Sequence, residues 1–210
     1  MSSLTERDRS PRTPGAAERP LAAAPLSMRR DAARSRAAIL VAARELFSSG
    51  RDFPMYEIGR RAGVGQATLY RHFPDRGAIV AAISREHVER IEATAAEHAG
   101  DDHAILIVLR AAAEMLVCIH DLVGILREEA ALAPVLHELR QRMRTVLDTT
   151  LQRSRSVGLL REEVQADDLV LVLNMINGAL AGIAAPGERS KAATRALDLA
   201  LRGLRDPATG

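Results

Sequence analysis

Tryptophan is absent, cysteine occurs once, and five residues (Phe47, Phe53, Tyr56, Tyr70 and Phe73) are the whole aromatic complement. The lone thiol, Cys118, excludes an internal disulfide and suits a reducing compartment. No aromatic lies beyond Phe73, so an aromatic cage for a cationic ligand is excluded there. The core of that long remainder has to come from Leu, Ile, Val, Met and Ala, residues that mostly favour helices. No alternating strand pattern, no repeat of fixed period and no phosphate-cradling glycine loop is present. The longest greasy stretch, Leu169 to Pro186, is interrupted by Asn174 and Asn177 and rich in small residues, which reads as a buried or interface helix and not as a membrane span. No basic n-region followed by an apolar h-region opens the chain, so no signal peptide is expected. The expectation is a cytoplasmic protein with no membrane partner and no cofactor.

Charge is nearly balanced overall, at +2, but unevenly spread. Residues 28–87 hold 11 Arg against 6 acids, whereas residues 88–210 hold 14 Lys or Arg against 18 acids. A basic N-terminal segment on an acidic remainder suits a chain that meets a polyanion at one end; chance variation of surface charge is the alternative for so small a difference. All five aromatics fall within the basic segment.

The chain divides into a Pro-, Ser- and Thr-containing tail over 1–27, a compact basic unit over 28–75 and a larger helical unit over 76–210, an all-α arrangement of about nine helices. Ile39, Leu40, Ala43, Leu46 and Phe47 follow helical spacing, with Gly50 as a stop. Pro54 suits the first turn of a second helix over Met55 to Ala62, because that turn needs no amide donor. Gly63-Val64-Gly65 breaks the chain, a short third helix follows from Gln66 to about Phe73, and Pro74-Asp75 opens a long fourth helix to Ala99. Asp101 and Asp102 can cap a fifth helix to about Ile119, with a shorter one from His120 to Ala131. The pattern continues with Ala133 to Val157, a helix capped by Asp167 or Asp168 and running to Ala185, a turn at Pro186-Gly187, and a last helix over Glu188 to Arg205.

Helix, glycine-containing turn, short helix is the layout of a helix-turn-helix. Ile58, Ala62, Val64 and Leu69 are the apolar positions that hold the two helices at a steep angle, and Gly63 allows the tight turn. The residues left outward on the second helix, Gln66, Ala67, Thr68, Tyr70, Arg71 and His72, suit a DNA groove. Gln can pair two-pronged with adenine, Ala or the Thr methyl can touch a thymine methyl, and Tyr, Arg and His can bond phosphates. Arg29, Arg30, Arg34 and Arg36 form either an arm toward phosphates and the minor groove or a solubilising face.

The run from Ala62 to Arg76 (AGVGQATLYRHFPDR) resembles the signature of TetR-family transcriptional regulators, and Ile39 to Phe47 with Gly50 resembles that family's first helix; the likeness covers about residues 33–85. It implies an N-terminal three-helix DNA-binding domain followed by a ligand-binding and dimerisation domain. The implied function is sequence-specific transcription regulation: a repressor on a palindromic double-stranded operator, released by a small apolar effector. An activator or co-repressed regulator is the alternative sign. Gln66, Ala67 and Thr68 would face bases, Tyr70 and His72 phosphates, Arg76 would clamp the backbone, and Arg34 would lie in the basic arm. Pro54 and Gly65 depart from the family, which often places a hydroxyl at each; Asp52, Tyr56 and backbone amides would take over some of those contacts.

The resemblance further implies a homodimer formed by the last two helices. Gly178, Ala181 and Gly182 would allow close backbone approach, and Ala193, Ala196, Leu197, Ala200 and Leu204 would form the matching stripe, although an intrachain core would use the same pattern. A ligand pocket would lie between the fourth helix and those after it. Its candidate lining is Leu106, Leu109, Met115, Leu116, Ile119, Leu122, Leu126, Met143, Leu147 and Met175, with Asn174 and Asn177 as polar anchors. Ordinary core packing is the better account of any single one of these.

A helical metal-dependent enzyme is the rival class. Glu97, His98 and His103 could meet a metal, but their spacing matches no standard site, and a capped helix start explains Asp101 and Asp102 better. Cys118 and His120, two apart on a helix, diverge and make no nucleophile–base pair. No catalytic residue and no resident metal are therefore expected.

Overall fold

The computed structural model describes residues 26–48 and 53–205. Eight α-helices and one 3-10 turn account for it: α1 (Leu26–Ser48), α2 (Met55–Ala62), α3 (Gln66–His72), α4 (Arg76–Glu97), α5 (Ala104–Glu128), the 3-10 turn Ala130–Leu132, α6 (Ala133–Ser156), α7 (Ala166–Ala179) and α8 (Pro186–Leu204). The described residues contain no strand and no helix long and apolar enough to cross a membrane. Of the tail expected over 1–27, only the last two residues are described, and they open α1; Gly50 and Asp52 also fall outside the described residues.

Three boundaries differ from the sequence reading, each for a local reason. The break expected near His120 does not exist: α5 runs through to Glu128, because no proline interrupts it and Ile119, Leu122 and Leu126 continue one buried stripe. The penultimate helix stops at Ala179 and not at Ala185; Leu180 to Gly182 form a turn in which Gly182 takes φ 80°, which an L-residue adopts at a cost. The last helix begins at Pro186, whose fixed φ and missing amide suit a first turn, so the expected Pro186-Gly187 turn is already helical. Asp168 does cap α7, reaching back to the amide of Gln165 at 2.8 Å while Gln165 holds the cap position.

α5 is the central rod, packed on α1, α4, α6, α7 and α8, and α4 joins the two ends of the molecule by touching α1, α5 and α6. The interior is aliphatic, as the composition requires: Ile79, Ile83, Ile105, Leu109, Leu147, Leu151 and Leu169 are wholly buried. Cutting any one of these back to Ala would cost about 2–5 kcal/mol. Two arginine–carboxylate forks tie α4 to α6: Arg85 to Glu138, with Nη2–Oε2 at 2.6 Å, and Arg142 to Glu92, at 2.8 and 2.7 Å. The Arg85 hydrogen bond holds the Glu138 carboxyl below its usual range, and Arg142 does the same for Glu92. Both pairs are solvent-accessible, so they set the register of the two helices more than they stabilise the fold.

His87 on α4 is buried on the face turned toward α1 and α5, and its pKa is pushed down to about 4, first by burial and then by the guanidinium groups of Arg90 and Arg44. A histidine whose folded pKa lies below its unfolded value of 6.5 leaves the unfolded chain holding more protons between those two values. Its contribution is therefore intact above 6.5 and is lost progressively as the pH falls toward 4. Thermal melts should show the midpoint dropping over that window, and His87→Gln should flatten the drop relative to the parent; an unchanged pH profile in the variant would contradict this assignment.

Candidate nucleic-acid interface

The local sequence builds the α2–α3 pair with few parts. Gly63 ends α2 at φ 67°, and its amide reaches the carbonyls of Arg60 and Gly59. The Val64 amide then donates to Gly59 O at 3.0 Å, which turns the chain sharply. Gly65 stands extended at the start of α3, where its carbonyl accepts from the amides of Thr68 and Leu69 at 3.0 Å each. Neither Pro54 nor Gly65 offers a side-chain cap, the consequence expected of those two residues. Ile58 and Leu69 are wholly buried. A Cβ on Gly59 would stand 3.3 Å from Leu69 Cδ2 and 3.3 Å from Val64 O, so the two helices pack closely enough that a side chain there would need Leu69 or the turn to give by a few tenths of an ångström.

Leu69 is the one buried residue of α3. Gln66, Ala67, Tyr70 and Arg71 are exposed, Thr68 is half-buried, and Arg71 makes no ion pair among the described residues. His72 sits differently from the rest: its Nε2 is buried without a hydrogen-bond partner, and its ring tilts against Phe73. Arg76 lies between two rings, with its guanidinium carbon 4.8 Å from the Phe47 centroid and 4.5 Å from that of Phe53, and it donates to Phe53 O at 3.4 Å. Arg34 is open to solvent and loosely paired with Asp31 at 3.7 Å. Tyr56, beside the start of α2, is 54% exposed.

Several arginines of this segment are paired with carboxylates of the same segment. Arg36 and Arg44 share Glu86, Arg60 bonds Glu57 at 2.9 Å, and Arg61 meets Glu45 at 3.1 Å. Charge counting could not separate these from Arg71, because their partners lie as far as 50 residues away in sequence.

Among the candidate pocket residues, Met115, Leu116, Ile119, Leu126 and Met143 line a cavity of about 100 Å³ between α4, α5, α6 and α7, together with Asn174 and Asn177. Leu109, Leu122 and Leu147 are buried in the packing around it, Leu106 is half-buried, and Met175 is 62% exposed. Sequence reasoning missed Ser84, a residue of α4 that lines the same cavity with its Oγ buried and unpartnered. Asn177 Oδ1 accepts from the His120 ring Nδ1 across 3.1 Å, and Asn174 accepts from Arg127.

Of the residues expected at a dimer face, Gly178, Ala181 and Gly182 are exposed. Ala193 and Leu197 are buried residues of α8, which packs on α5 and α7, and Ala196, Ala200 and Leu204 are half-buried. The large apolar residues left outward on these helices are Leu171, Met175 and Leu199, and the sequence reading named only the second of them, for another role.

The residues of the rival reading are engaged elsewhere. His98 Nδ1 lies 2.9 Å from Thr94 O, His103 lies beside Asp101, and Cys118 and His120 share one continuous helix. No group of three His, Cys, Asp or Glu placed to hold a metal occurs among the described residues.

A short outward helix docked by one leucine behind a glycine turn, in a wholly helical frame, defines a helix-turn-helix DNA-binding regulator. Residues 39–83 match the model described as bacterial regulatory proteins, tetR family. The fold is similar to that of a TetR transcriptional regulator from Streptomyces coelicolor, with TM-score 0.62 and 28% identity over 82% of this chain and 99% of that one. A TetR transcription regulatory protein from Mycobacterium vanbaalenii is similar at TM-score 0.62 and 27% identity, over 85% and 99% of the two chains. SmeT, the repressor of a Stenotrophomonas maltophilia multidrug efflux pump, shares the fold at TM-score 0.60 and 19% identity, over 82% of this chain and 91% of its own. No curated protein matches the chain in sequence. The helix-turn-helix segment thus matches the tetR family model, and the whole fold is similar to that of TetR-type regulators.

The turn yields a direct test. Nothing lies within 4 Å of a Cβ built on Gly63, so any penalty there is backbone strain alone. Gly63→Ala should destabilise the protein by about 1–2 kcal/mol, whereas the larger Gly63→Asn, which tolerates the left-handed region, should lose clearly less. Calorimetric melting of the two variants separates strain from a steric clash, which would rank them by size instead.

Proposed function

We propose that this chain is a homodimeric repressor that reads a palindromic operator with α3 and leaves it when a small apolar ligand enters the cavity beside α4. The observation that carries the reading is the exposure of Gln66, Ala67, Tyr70 and Arg71 on a helix anchored by Leu69 alone. Gln66 and Ala67, at the start of α3, suit base edges, with the Thr68 methyl beside them. Tyr70 and Arg71 suit phosphates, and Arg34 a more distant one. His72 and Arg76 act through position: His72 against Phe73, and Arg76 by fixing the start of α4 to the ring pair of Phe47 and Phe53. On this reading, residues 28–75 form the reading head and 76–210 the sensor.

Two heads on one operator need a twofold partner, with recognition helices roughly 34 Å apart. Leu171, Met175 and Gly178 fall at successive helical-face positions along α7, and Leu199 lies outward on α8. This is the stripe we assign to the dimer, with Ala193 and Leu197 serving the intrachain core. α4 supplies Ser84 and Val88 to the cavity wall and begins at Arg76, next to the reading pair, so a ligand that displaces α4 displaces the head. The cavity is smaller than the roughly 300–1,000 Å³ of typical ligand sites, so binding has to open it. A ligand shifts the equilibrium only by preferring the opened state. Its body is apolar, and one polar group would meet Ser84 Oγ or Asn177. The repressor sign follows the role named for SmeT, whose fold is shared.

Selection of bound DNA from a random pool should recover a palindrome, and affinity for it should fall steeply with salt. Gln66→Ala should cost about 1–3 kcal/mol on that site and relax the preference at one base pair. Arg71→Ala should instead weaken binding to all sequences alike and reduce the salt slope by about one. Recovery of no preferred sequence would end the regulator reading. For the dimer, Met175→Arg should leave the helical content unchanged but shift the mass in sedimentation equilibrium from two chains to one; a variant that remains dimeric places the interface elsewhere.

A further inference from the structure

A second and larger cavity lies outside the apolar sensor core. A cleft of about 710 Å³ opens between the end of α1, the middle of α4, α5 and the start of α8, within the size range of small-molecule sites. We propose that this cleft binds a small organic carboxylate with an apolar body, its charge held between Arg90 and Arg44.

The charges around the cleft support an anion. Its two acidic lining residues are already neutralised: Asp121 takes both arms of Arg189, at 3.1 and 3.3 Å, and Glu45 meets Arg61 at 3.1 Å. Glu86, just behind, is shared by Arg36 and Arg44. Arg44 nevertheless keeps its Nε buried with no acceptor, a costly state for a charged donor. Arg90 has no carboxylate partner among the described residues; its guanidinium donates to the Glu86 carbonyl at 3.3 Å and to the His87 ring at 3.0 Å. Glu114 lines a neighbouring depression with Arg90 but forms no ion pair with it. The pKa of His87 is lowered first by burial and then by Arg90 and Arg44, so it carries a lesser imprint of the same positive charge.

The rest of the wall is apolar. Phe47 and Ile83 face the cleft from α1 and α4, Leu122 from α5, and Pro186 from the start of α8. A bare inorganic anion would leave these surfaces wet, whereas a carboxylate carrying a short hydrocarbon body would cover them. The walls also come from α1, which supports the reading pair, and from α5 and α8 on the other side. An occupant would therefore touch both ends of the molecule, at a place separate from the cavity lined by Ser84.

Cys118 lines the cleft and two neighbouring depressions, is exposed and is the chain's one thiol, so its alkylation is read at a single residue at the edge of this place. The full chain is treated with iodoacetamide in the presence of octanoate or of octanamide, which has the same shape without the charge. At octanoate concentrations about ten times the dissociation constant, the rate should fall about ten-fold, in proportion to the unoccupied fraction. Octanamide should leave it nearly unchanged. Arg90→Ala, an exposed position whose loss spares the core, should abolish the protection relative to its own untreated rate, and Arg90→Lys should keep part of it. Equal slowing by both compounds, slowing that persists in Arg90→Ala, or no slowing by octanoate would each overturn the proposal.

Discussion

The contact between Gly59 and Leu69 governs what the rest of the molecule can do. A helix of seven residues is far too short to be stable alone, so α3 exists as a helix because its one buried side chain docks against α2. The absence of a Cβ on Gly59 brings the two backbones close enough for one leucine to suffice. Because so little of α3 is spent on anchoring, nearly all its remaining surface faces outward. A second apolar anchor would hold the helix more firmly and remove part of the surface that meets a duplex.

α4 carries that arrangement to the other end of the protein. It is buried along much of its length and is capped at its start by Asp75, whose carboxylate accepts from the Ala78 amide at 2.7 Å. Its start is also fixed by the stacking of Arg76 on Phe47 and Phe53, while further along it is tied to α6 by the forks through Glu138 and Glu92. These attachments differ in kind. The aromatic contact is short-range and insensitive to salt, whereas the exposed forks are screened by ions and individually weak.

How much of this was legible in sequence follows the range of the interactions. The helix-turn-helix was readable because its determinants are local: Gly63 for the turn, Ile58 and Leu69 for the docking, Pro74 and Asp75 for the next helix start. The ends of α2 and the start of α3 were readable for the same reason. The continuous α5 was not, because a polar His-Asp pair inside a helix looks like a boundary until Asn177 and Arg189 supply partners from α7 and α8. The inward turn of Ala193 and Leu197, and the outward turn of Leu171 and Leu199, were hidden likewise: an apolar stripe shows that a face is buried but not what buries it. Arg71 could not be told from Arg60 or Arg61 by counting charges, since only the fold shows which guanidinium already has a carboxylate.

The distribution of aromatic residues has one more consequence. With no tryptophan in the chain, ultraviolet emission from the folded protein originates from two tyrosines, Tyr56 and Tyr70, both about half exposed and both on the helix-turn-helix. The optical signal of this protein is therefore a property of its reading pair alone. Events deep in the aliphatic core are spectroscopically silent unless they move those two phenol rings, so the unlabelled protein reports only on what reaches that pair.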